Sequence, residues 1–161
     1  MIKINVKYNL KKIKEEVNIL LDKHQLVNNQ QLLLQSIEGN DWYSIKAPYK
    51  IRNDLRENDY MKPNTPGDWE ITKLIKDTGI CRTRLMKLKP KECYSWHHDV
   101  GDRLHLAVWT SEKCFFIEDK KLVNIPADGH PYIVNVDNYH TAMNCSENDR
   151  YHIVGVFREQ L

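Results

Sequence analysis

Side-chain types that bind metals are concentrated in one short stretch of this sequence, Cys93-Tyr94-Ser95-Trp96-His97-His98-Asp99. In an extended strand successive side chains point to opposite faces, so His97 and Asp99 project to one side and His98 to the other. If His140 returns to the same space from a later strand, a two-histidine, one-carboxylate face results. That ligand set suits non-haem Fe(II) and leaves coordination positions open. The residue types and their spacing therefore predict an iron site.

Basic side chains lie on the strands predicted beside this site. Arg150 follows His140 after a turn rich in Asn, Ser and Asp. A guanidinium group binds a carboxylate through two parallel hydrogen bonds, so Arg150 is suited to anchor the far end of a dicarboxylic co-substrate that chelates the metal. Arg103 and His105 share one face of another strand, and a buried pair of this kind needs an anionic partner. In the alternative interpretation, that face is the solvated outside of the fold.

Two further histidines leave alternatives open. One alternative makes His98 the metal ligand instead of His97. Its same-face neighbours would then be Trp96 and Val100, neither of which binds a metal, so His97 is preferred. His152 lies two residues past the carboxylate-binding arginine on the same face, where it either supports the site or has a purely structural role.

The first part of the chain is predicted to support the site. Residues 2–6 alternate apolar and polar and predict a short strand. Apolar residues at helical spacing over 9–23, with Asn9 as the N-cap, predict an amphipathic helix. Residues 31–37 form a second strand candidate, and a helix is predicted over 66–77 with Gly79 as its C-terminal stop.

The stretch 40–66 has no clear period. It carries aromatic and basic residues among prolines and asparagines, a composition compatible with a long loop that covers a binding site. An ordinary surface loop with its aromatic side chains tucked into the core is equally compatible with this composition.

From Ile80 onward the chain becomes a series of short strand-like runs separated by turn residues. The runs are 80–88, 94–99, 103–109, 113–118, 121–125, 131–136, 139–143 and 151–157. Short strands without intervening helices predict a jelly-roll barrel. The predicted fold class is α+β, a double-stranded β-helix (cupin-like jelly roll) buttressed by N-terminal helices. We predict a single domain over 1–161, with the support and covering loop in 1–79 and the barrel in 80–158.

Composition narrows the function classes. Of the 161 residues, 24 are Lys or Arg and 22 are Asp or Glu, and these charges are scattered, so binding to nucleic acid is not predicted. The four cysteines form no Cys-x-x-Cys pair, which argues against a zinc knuckle or a redox motif. The sequence shows neither a signal peptide nor a membrane span, so a cytoplasmic protein with no membrane partner is expected. The oligomeric state is left open.

A set of four motifs occurs in a fixed order along the second half of the chain. They are Arg82-x-Arg84-Leu85-x-x-Leu88-x-Pro90, His97-His98-Asp99, Arg103-Leu104-His105-Leu106 and His140-x-x-x-Asn144-x-Ser146-x-x-x-Arg150. With these motifs the chain from about Asp68 to Phe157 resembles the aspartyl/asparaginyl β-hydroxylase family of Fe(II)- and 2-oxoglutarate-dependent oxygenases. The resemblance covers a little over half of the chain and implies a double-stranded β-helix core.

Site roles follow from the resemblance position by position. It implies that His97 and His140 bind Fe(II) and that Arg150 binds the far carboxylate of the co-substrate 2-oxoglutarate. Arg103 and His105 would contact the carboxylate nearer the metal. Dioxygen would be the second co-substrate.

Asp99 departs from the pattern of the best-known members, which have glycine there and no carboxylate ligand. It moves the chain toward the facial triad of other 2-oxoglutarate oxygenases, including prolyl hydroxylases. The implied function is hydroxylation of an Asp/Asn-type side chain in a peptide or protein, with succinate and CO2 as co-products. The alternatives are a prolyl or free-amino-acid hydroxylase with the same chemistry, and a non-catalytic cupin-like module that binds a metal or an anion.

Overall fold

A computed structural model of the chain describes residues 1–27, 30–118 and 120–157. Its strands are β1 (Ile2–Lys3), β2 (Gln31–Leu33), β3 (Gln35–Ser36), β4 (Lys62–Pro63), β5 (Cys81–Leu88), β6 (Arg103–Trp109), β7 (Cys114–Glu118), β8 (Lys121–Val123), β9 (Tyr132–Val134), β10 (His140–Asn144) and β11 (Arg150–Val156). Its helices are α1 (Leu10–Lys23), α2 (Pro48–Ile51) and α3 (Glu70–Thr78), with a 3₁₀ turn at Glu57–Asp59. Within these ranges, no helix is both long and apolar enough to cross a lipid bilayer.

Two antiparallel sheets form the barrel. The larger sheet has the order β1-β9-β6-β11-β5-β2, and the smaller has the order β10-β7-β8. Residues 93–97 extend the smaller sheet along β10 through isolated bridges, Cys93 to Met143 and His97 to His140. From β5 to β11 the chain passes between the sheets, with β5, β6, β9 and β11 in one and 93–97, β7, β8 and β10 in the other. This is the strand order of a double-stranded β-helix, so the α+β, cupin-type jelly roll predicted from the sequence is confirmed.

The strand predicted over 94–99 is wrong as a continuous strand. Cys93 opposes Met143 and His97 opposes His140. The segment 93–97 therefore has one residue more than the segment 140–143 that it faces. One extra residue in one strand is a bulge, which bends the strand and interrupts its ladder. The chain therefore leaves regular strand geometry just before the predicted metal ligands.

The helices α1 and α3 pack on the outer face of the larger sheet. As predicted, Asn9 caps α1 by accepting a hydrogen bond from the Lys12 amide at 3.2 Å, and Gly79 ends α3 at φ 64°. The helix α3 begins at Glu70, later than predicted, because a turn over 66–69 precedes it. The core between helices and sheet includes Ile13, Val17, Leu20, Ile71, Leu74, Leu85, Leu104, Leu106 and Ile153.

Two N-terminal strand predictions are shortened. The strand predicted over 2–6 is limited to β1. The run 31–37 is divided at Leu34, because the register with β5 ends at Leu33 and Gln35–Ser36 pair with β4. At the other end of the chain, the predicted barrel boundary at 158 falls outside the described residues.

The inner face of the larger sheet fills the barrel. Apolar side chains of both sheets meet there, namely Leu88, Ala107, Phe116, Ile125, Tyr132, Val134, Val136 and Ala142. Because side chains alternate along a strand, β6 directs Leu104 and Leu106 to the helices and Arg103 and His105 into the barrel. Arg103 and His105 are each 7% exposed. The interpretation of this face as the solvated exterior is therefore wrong.

The strand β5 also anchors the predicted covering loop. Arg82 donates hydrogen bonds to both carboxylate oxygens of Glu57, at 2.8 and 2.9 Å. Its other terminal nitrogen donates to the carbonyls of Ile45 and Lys46, at 2.7 and 2.9 Å. One buried guanidinium group thus ties the segment 40–66 to the barrel.

Candidate metal centre

Three side chains with metal-binding atoms converge at the polar end of the barrel. The ligand atoms of His97, Asp99 and His140 all lie within 4.8 Å of one another. His140 begins β10, and its backbone exchanges hydrogen bonds with that of His97 at 2.7 and 3.1 Å. This pairing places the two ring centroids 4.4 Å apart. Two imidazoles and one carboxylate grouped in this way leave further coordination positions open for other ligands.

Backbone carbonyls orient both imidazole rings. The Nδ1 atom of His97 lies 2.6 Å from the carbonyl oxygen of Ser95, and Nδ1 of His140 lies 3.0 Å from that of Asn138. Because a carbonyl only accepts, each Nδ1 carries the proton and each Nε2 keeps a lone pair for a metal. Burial lowers the pKa of His140, which favours the neutral ring that metal binding requires.

Arg103 holds the loop that carries Asp99. Its Nη1 atom donates to the carbonyls of Val100 and Gly101, both at 2.8 Å, and its Nη2 atom lies 3.5 Å from Oδ2 of Asp99. The guanidinium group therefore fixes the carboxylate beside the two histidines. Its Nε atom is buried and has no partner among the described residues, so one donor is still available to a ligand.

Arg150, His152 and His105 form a buried chain beside the metal cluster. The Nη2 atom of Arg150 donates to Nδ1 of His152 at 3.0 Å, and Nδ1 of His152 lies 3.4 Å from Nδ1 of His105. Arginine only donates, so Nδ1 of His152 is an acceptor and the ring proton is on Nε2. Burial lowers the pKa of both histidines well below the ordinary value, which keeps them neutral.

Arg150 thus has a neutral imidazole rather than a carboxylate as its side-chain partner among the described residues. Burial lowers its pKa to about 10, so it remains positive at neutral pH. A buried cation without an anionic partner costs free energy, and a bound anion offsets that cost. A carboxylate ligand is therefore predicted beside Arg150.

Sequence reasoning missed two side chains of the site, Arg84 and Tyr94. Arg84 donates to Oε1 of Gln31 at 3.1 Å, and its Nε atom is buried without a partner among the described residues. The hydroxyl of Tyr94 is likewise buried without a described partner. The alternation on β5, where Arg84 faces opposite to Thr83 and Leu85, was the available signal for the arginine. Tyr94 had no such signal, because the bulge that follows it is not readable from the sequence.

Most of these groups, but not His152, line one cavity of about 70 Å³. Its polar lining consists of Arg84, Tyr94, His97, Asp99, Arg103, His105, His140 and Arg150. The cavity therefore brings together all six side chains singled out in the sequence, and their individual roles stay predictions. Phe116, Val136 and Ala142 form the apolar part of the wall.

A wider cavity of about 640 Å³ adjoins the first. It lies between the barrel and the covering segment, from which Ile45, Pro48 and Leu55 contribute to its lining. Arg84, Asp99 and Arg103 line both cavities. The segment 40–66 therefore borders the space next to the candidate metal centre.

His98, the alternative ligand, lies apart from the metal cluster. Its side chain is exposed and meets the ring of Tyr139 edge-on, with the ring centroids 5.3 Å apart. It lines the wider cavity but not the inner one. Among the described residues, the metal cluster contains His97 and not His98, and the assignment of the ligand stays a prediction.

Comparison with known proteins gives a fold likeness only. No protein-family model and no curated protein sequence matches the chain. Among solved structures, the chain is similar to a cupin domain from Bordetella pertussis Tohama I, with 14% identity, a TM-score of 0.42 and coverage of 48% of this chain and 81% of that one. It is also similar to a cupin superfamily protein from Desulfitobacterium hafniense DCB-2, with 13% identity, a TM-score of 0.40 and coverage of 48% and 67%. A third, a predicted oxalate decarboxylase from Thermotoga maritima, has 17% identity, a TM-score of 0.40 and coverage of 53% and 72%.

These likenesses are too distant to carry an argument about chemistry, and the cupin-type fold rests on the strand order itself. Membership of the aspartyl/asparaginyl β-hydroxylase family stays a prediction from the sequence motifs. The function must be argued from the side chains at the site.

Proposed function

We propose that this protein is an Fe(II)- and 2-oxoglutarate-dependent oxygenase that hydroxylates an amino-acid side chain. The observation that carries the proposal is a single cavity that holds both the His97, Asp99 and His140 cluster and a buried arginine, Arg150, without a carboxylate partner among the described residues. A metal cluster alone fits many functions. A metal cluster beside a carboxylate-binding guanidinium group fits a dicarboxylate that binds the metal at its other end.

The side chains present fit both groups. Two imidazoles and a carboxylate are ligands suited to Fe(II), and backbone carbonyls already hold both rings in the tautomer that metal binding needs. Arg150 and Nε of Arg103 supply buried donors that a dicarboxylate would satisfy. When bound, iron and 2-oxoglutarate supply the oxidising chemistry, in which O2 and 2-oxoglutarate are converted to succinate and CO2 while a substrate C–H bond is hydroxylated.

The chain's own residues bind and orient these molecules. Arg150 binds the far carboxylate of 2-oxoglutarate through paired hydrogen bonds. Arg103 and His105 bind the carboxylate nearer the metal. Phe116 and Val136 form an apolar wall that keeps water from the reacting atoms.

The wider cavity is the proposed place of the substrate. Its volume of about 640 Å³ lies within the range of sites for small molecules or a short peptide segment. We propose an Asp/Asn-type residue of a peptide or protein as the substrate, with proline or a free amino acid as the alternative. Within the described part of the chain, Cys93, Cys114 and Cys145 form no disulfide, which is in keeping with our proposal of a reducing, cytoplasmic location.

Anaerobic titration of the metal-free protein with Fe(II) and 2-oxoglutarate tests the proposal. We expect a visible charge-transfer band from the chelate in the wild type. The band should disappear in His97→Ala, which lacks a metal ligand, and weaken in Arg150→Ala, which lacks the carboxylate anchor. The neighbouring His98→Ala is the matched control and should keep the band.

Turnover of 2-oxoglutarate to succinate in air is the second part of the test. An unchanged band in His97→Ala would show that the metal binds elsewhere and would overturn the site. A normal band without any succinate formation would instead identify the non-catalytic, cupin-like module.

A further inference from the structure

Arg84 occupies a position that the proposed function leaves without a role. It lies on β5 and lines both the inner cavity and the wider cavity, whereas Arg150 lines only the inner one. A group that enters from the wider cavity therefore reaches Arg84 before it reaches Arg150.

The guanidinium group of Arg84 has unused hydrogen-bonding capacity. Its one described hydrogen bond is to the neutral amide of Gln31, at 3.1 Å, and its buried Nε has no described partner. The carboxylates of Glu57 and Asp99 are close enough to influence it electrostatically. Both are already bound to other arginines, Glu57 to Arg82 and Asp99 to Arg103.

The neighbouring arginines are engaged in the fold. Arg82 uses both of its terminal nitrogens on Glu57 and on backbone carbonyls of the covering segment. Arg56, which also lines the wider cavity, is exposed and donates to the carbonyls of Asn53 and Leu55. Arg103, which also lines this cavity, holds the carbonyls of Val100 and Gly101, and the proposed function assigns its free Nε to the co-substrate. Arg84 is thus the remaining guanidinium group of the lining that can receive an anion.

The net charge of the inner cavity also favours the binding of an anion. Its lining contains three guanidinium groups and one carboxylate. A divalent metal and a doubly negative 2-oxoglutarate cancel each other, so two positive charges remain after both have bound. Positive charge at a partly buried site favours a further anion.

We propose that Arg84 forms a second anion subsite, at the junction of the two cavities, that binds a carboxylate of the molecule to be hydroxylated. The inference rests on the proposed function. Two sources present the same chemistry, an acidic side chain within a peptide and the α-carboxylate of a free amino acid. Gln31 acts as a positioning residue that holds the guanidinium group from β2.

The first test measures binding of ¹³C-labelled acetate by NMR to protein loaded with Zn²⁺ and 2-oxoglutarate, a redox-inert complex. We expect one acetate site in the wild type and roughly tenfold weaker binding in Arg84→Gln, which loses a charge-assisted hydrogen bond. Arg84→Lys keeps the charge and should restore part of the affinity. Arg52→Gln removes a charge from the covering segment outside both cavities and should leave acetate binding unchanged.

The second measurement is the affinity for 2-oxoglutarate of the Zn²⁺-loaded variants. Arg84→Gln should bind it as the wild type does, whereas Arg150→Gln should bind it much more weakly. Equal losses in the two variants would place Arg84 in the co-substrate site and overturn the inference. Unchanged acetate binding in Arg84→Gln would overturn it as well.

The experiments distinguish a failure of the proposed function from a failure of the Arg84 subsite. If the wild type binds neither Zn²⁺ nor 2-oxoglutarate, the proposed function fails, while the effect of Arg84→Gln on acetate binding to the metal-free protein still tests the subsite itself.

Displacement of acetate identifies the source of the carboxylate. An N-acetylated, C-amidated pentapeptide with one central aspartate carries only a side-chain carboxylate, and free L-proline carries only an α-carboxylate. Displacement by the peptide assigns a peptide substrate, and displacement by L-proline assigns a free amino acid. Displacement by neither would overturn the assignment of Arg84 to the substrate.

Discussion

At the residue scale, the site depends on histidines that are kept neutral. His152 accepts a hydrogen bond from Arg150 and contacts His105, and all three are buried. A protonated imidazole in that position would face the guanidinium group with a like charge. The neutral ring therefore both orients Arg150 and leaves its positive charge for an anion. This relation was not readable from the sequence, where His152 shared a face with Arg150 without any sign of which atom met which.

Replacement of His152 tests its role as a positioning residue. His152→Phe keeps the ring volume but removes the acceptor for Arg150, so we expect 2-oxoglutarate to bind roughly tenfold more weakly to the Zn²⁺-loaded protein. The affinity for Zn²⁺ should be unchanged, because His152 is not in the metal cluster. Calorimetric titration with each ligand measures both quantities. A fall in Zn²⁺ affinity without a change for 2-oxoglutarate would contradict this role, and His98→Phe is the control.

The buried histidines also predict how the stability of the metal-free protein depends on pH. Burial lowers the pKa of His105 and His152 far below the value of 6.5 expected in the unfolded chain. Below about pH 6.5 the unfolded state therefore binds protons that the folded state does not. The free energy of unfolding is then highest above pH 6.5 and falls as the pH drops, by up to about 1.4 kcal/mol per pH unit for each histidine.

Urea unfolding at several values between pH 7.5 and pH 5.5 checks this dependence, over about the range where histidines titrate. In His152→Phe the free energy of unfolding should fall less steeply as the pH drops, because one of the two buried histidines no longer contributes. A wild-type stability that does not change over this range would contradict this, because it would mean that the folded protein takes up as many protons as the unfolded chain.

At the element scale, periodicity was a good guide wherever an element has one apolar face. The helices α1 and α3 and the strands β5, β6 and β11 were predicted because their apolar residues recur at helical or alternating spacing. Prediction failed over 94–99, where the ladder is interrupted by a bulge. It also failed to divide 31–37, because the break at Leu34 depends on pairing with β4, a strand distant in sequence. Tertiary contacts, not local preference, determine both features.

The start of α3 depends on a residue from another helix. None of its own side chains caps the helix. Instead, Glu16 of α1 accepts hydrogen bonds from the amides of Glu70 and Ile71, at 2.7 and 3.0 Å. A carboxylate at a helix N-terminus satisfies free amides and complements the helix dipole. The cap therefore joins the two helices that support the larger sheet.

Removal of this cap is expected to destabilise the protein. Glu16→Ala leaves the buried amide of Ile71 and the partly buried amide of Glu70 without this partner. We therefore expect a loss of roughly 1–3 kcal/mol in the free energy of unfolding. Glu15→Ala, at an exposed position of the same helix, should change it by less than about 0.5 kcal/mol. Urea unfolding of both variants measures the difference. Equal effects of the two substitutions would show that helix propensity, not the cap, dominates.

At the scale of the whole molecule, the site joins the two sheets of the barrel. The metal cluster comes from 93–99 and β10 on the smaller-sheet side, whereas Arg84, Arg103 and Arg150 come from the larger sheet. The sequence identified the chemical types of these residues but not their separation, because only the closed barrel brings strands so distant in sequence together. Arg84, which sequence reasoning missed, is the exception: alternation on β5 indicates the face on which it lies but not that this face meets the metal cluster.

This arrangement predicts that the two ligands stabilise the fold cooperatively. Each ligand at about 100 times its Kd adds about 2.7 kcal/mol to the free energy of unfolding if it binds only the folded protein. Because 2-oxoglutarate would bridge the metal and Arg150, it should add this increment only when Zn²⁺ is present. Arg150→Gln should keep the increment from Zn²⁺ and lose that from 2-oxoglutarate, while His97→Ala should lose both. Thermal unfolding with each ligand alone and with both together measures the coupling. An equal increment from 2-oxoglutarate without metal would mean that it binds elsewhere, and the two sheets would then not share one site.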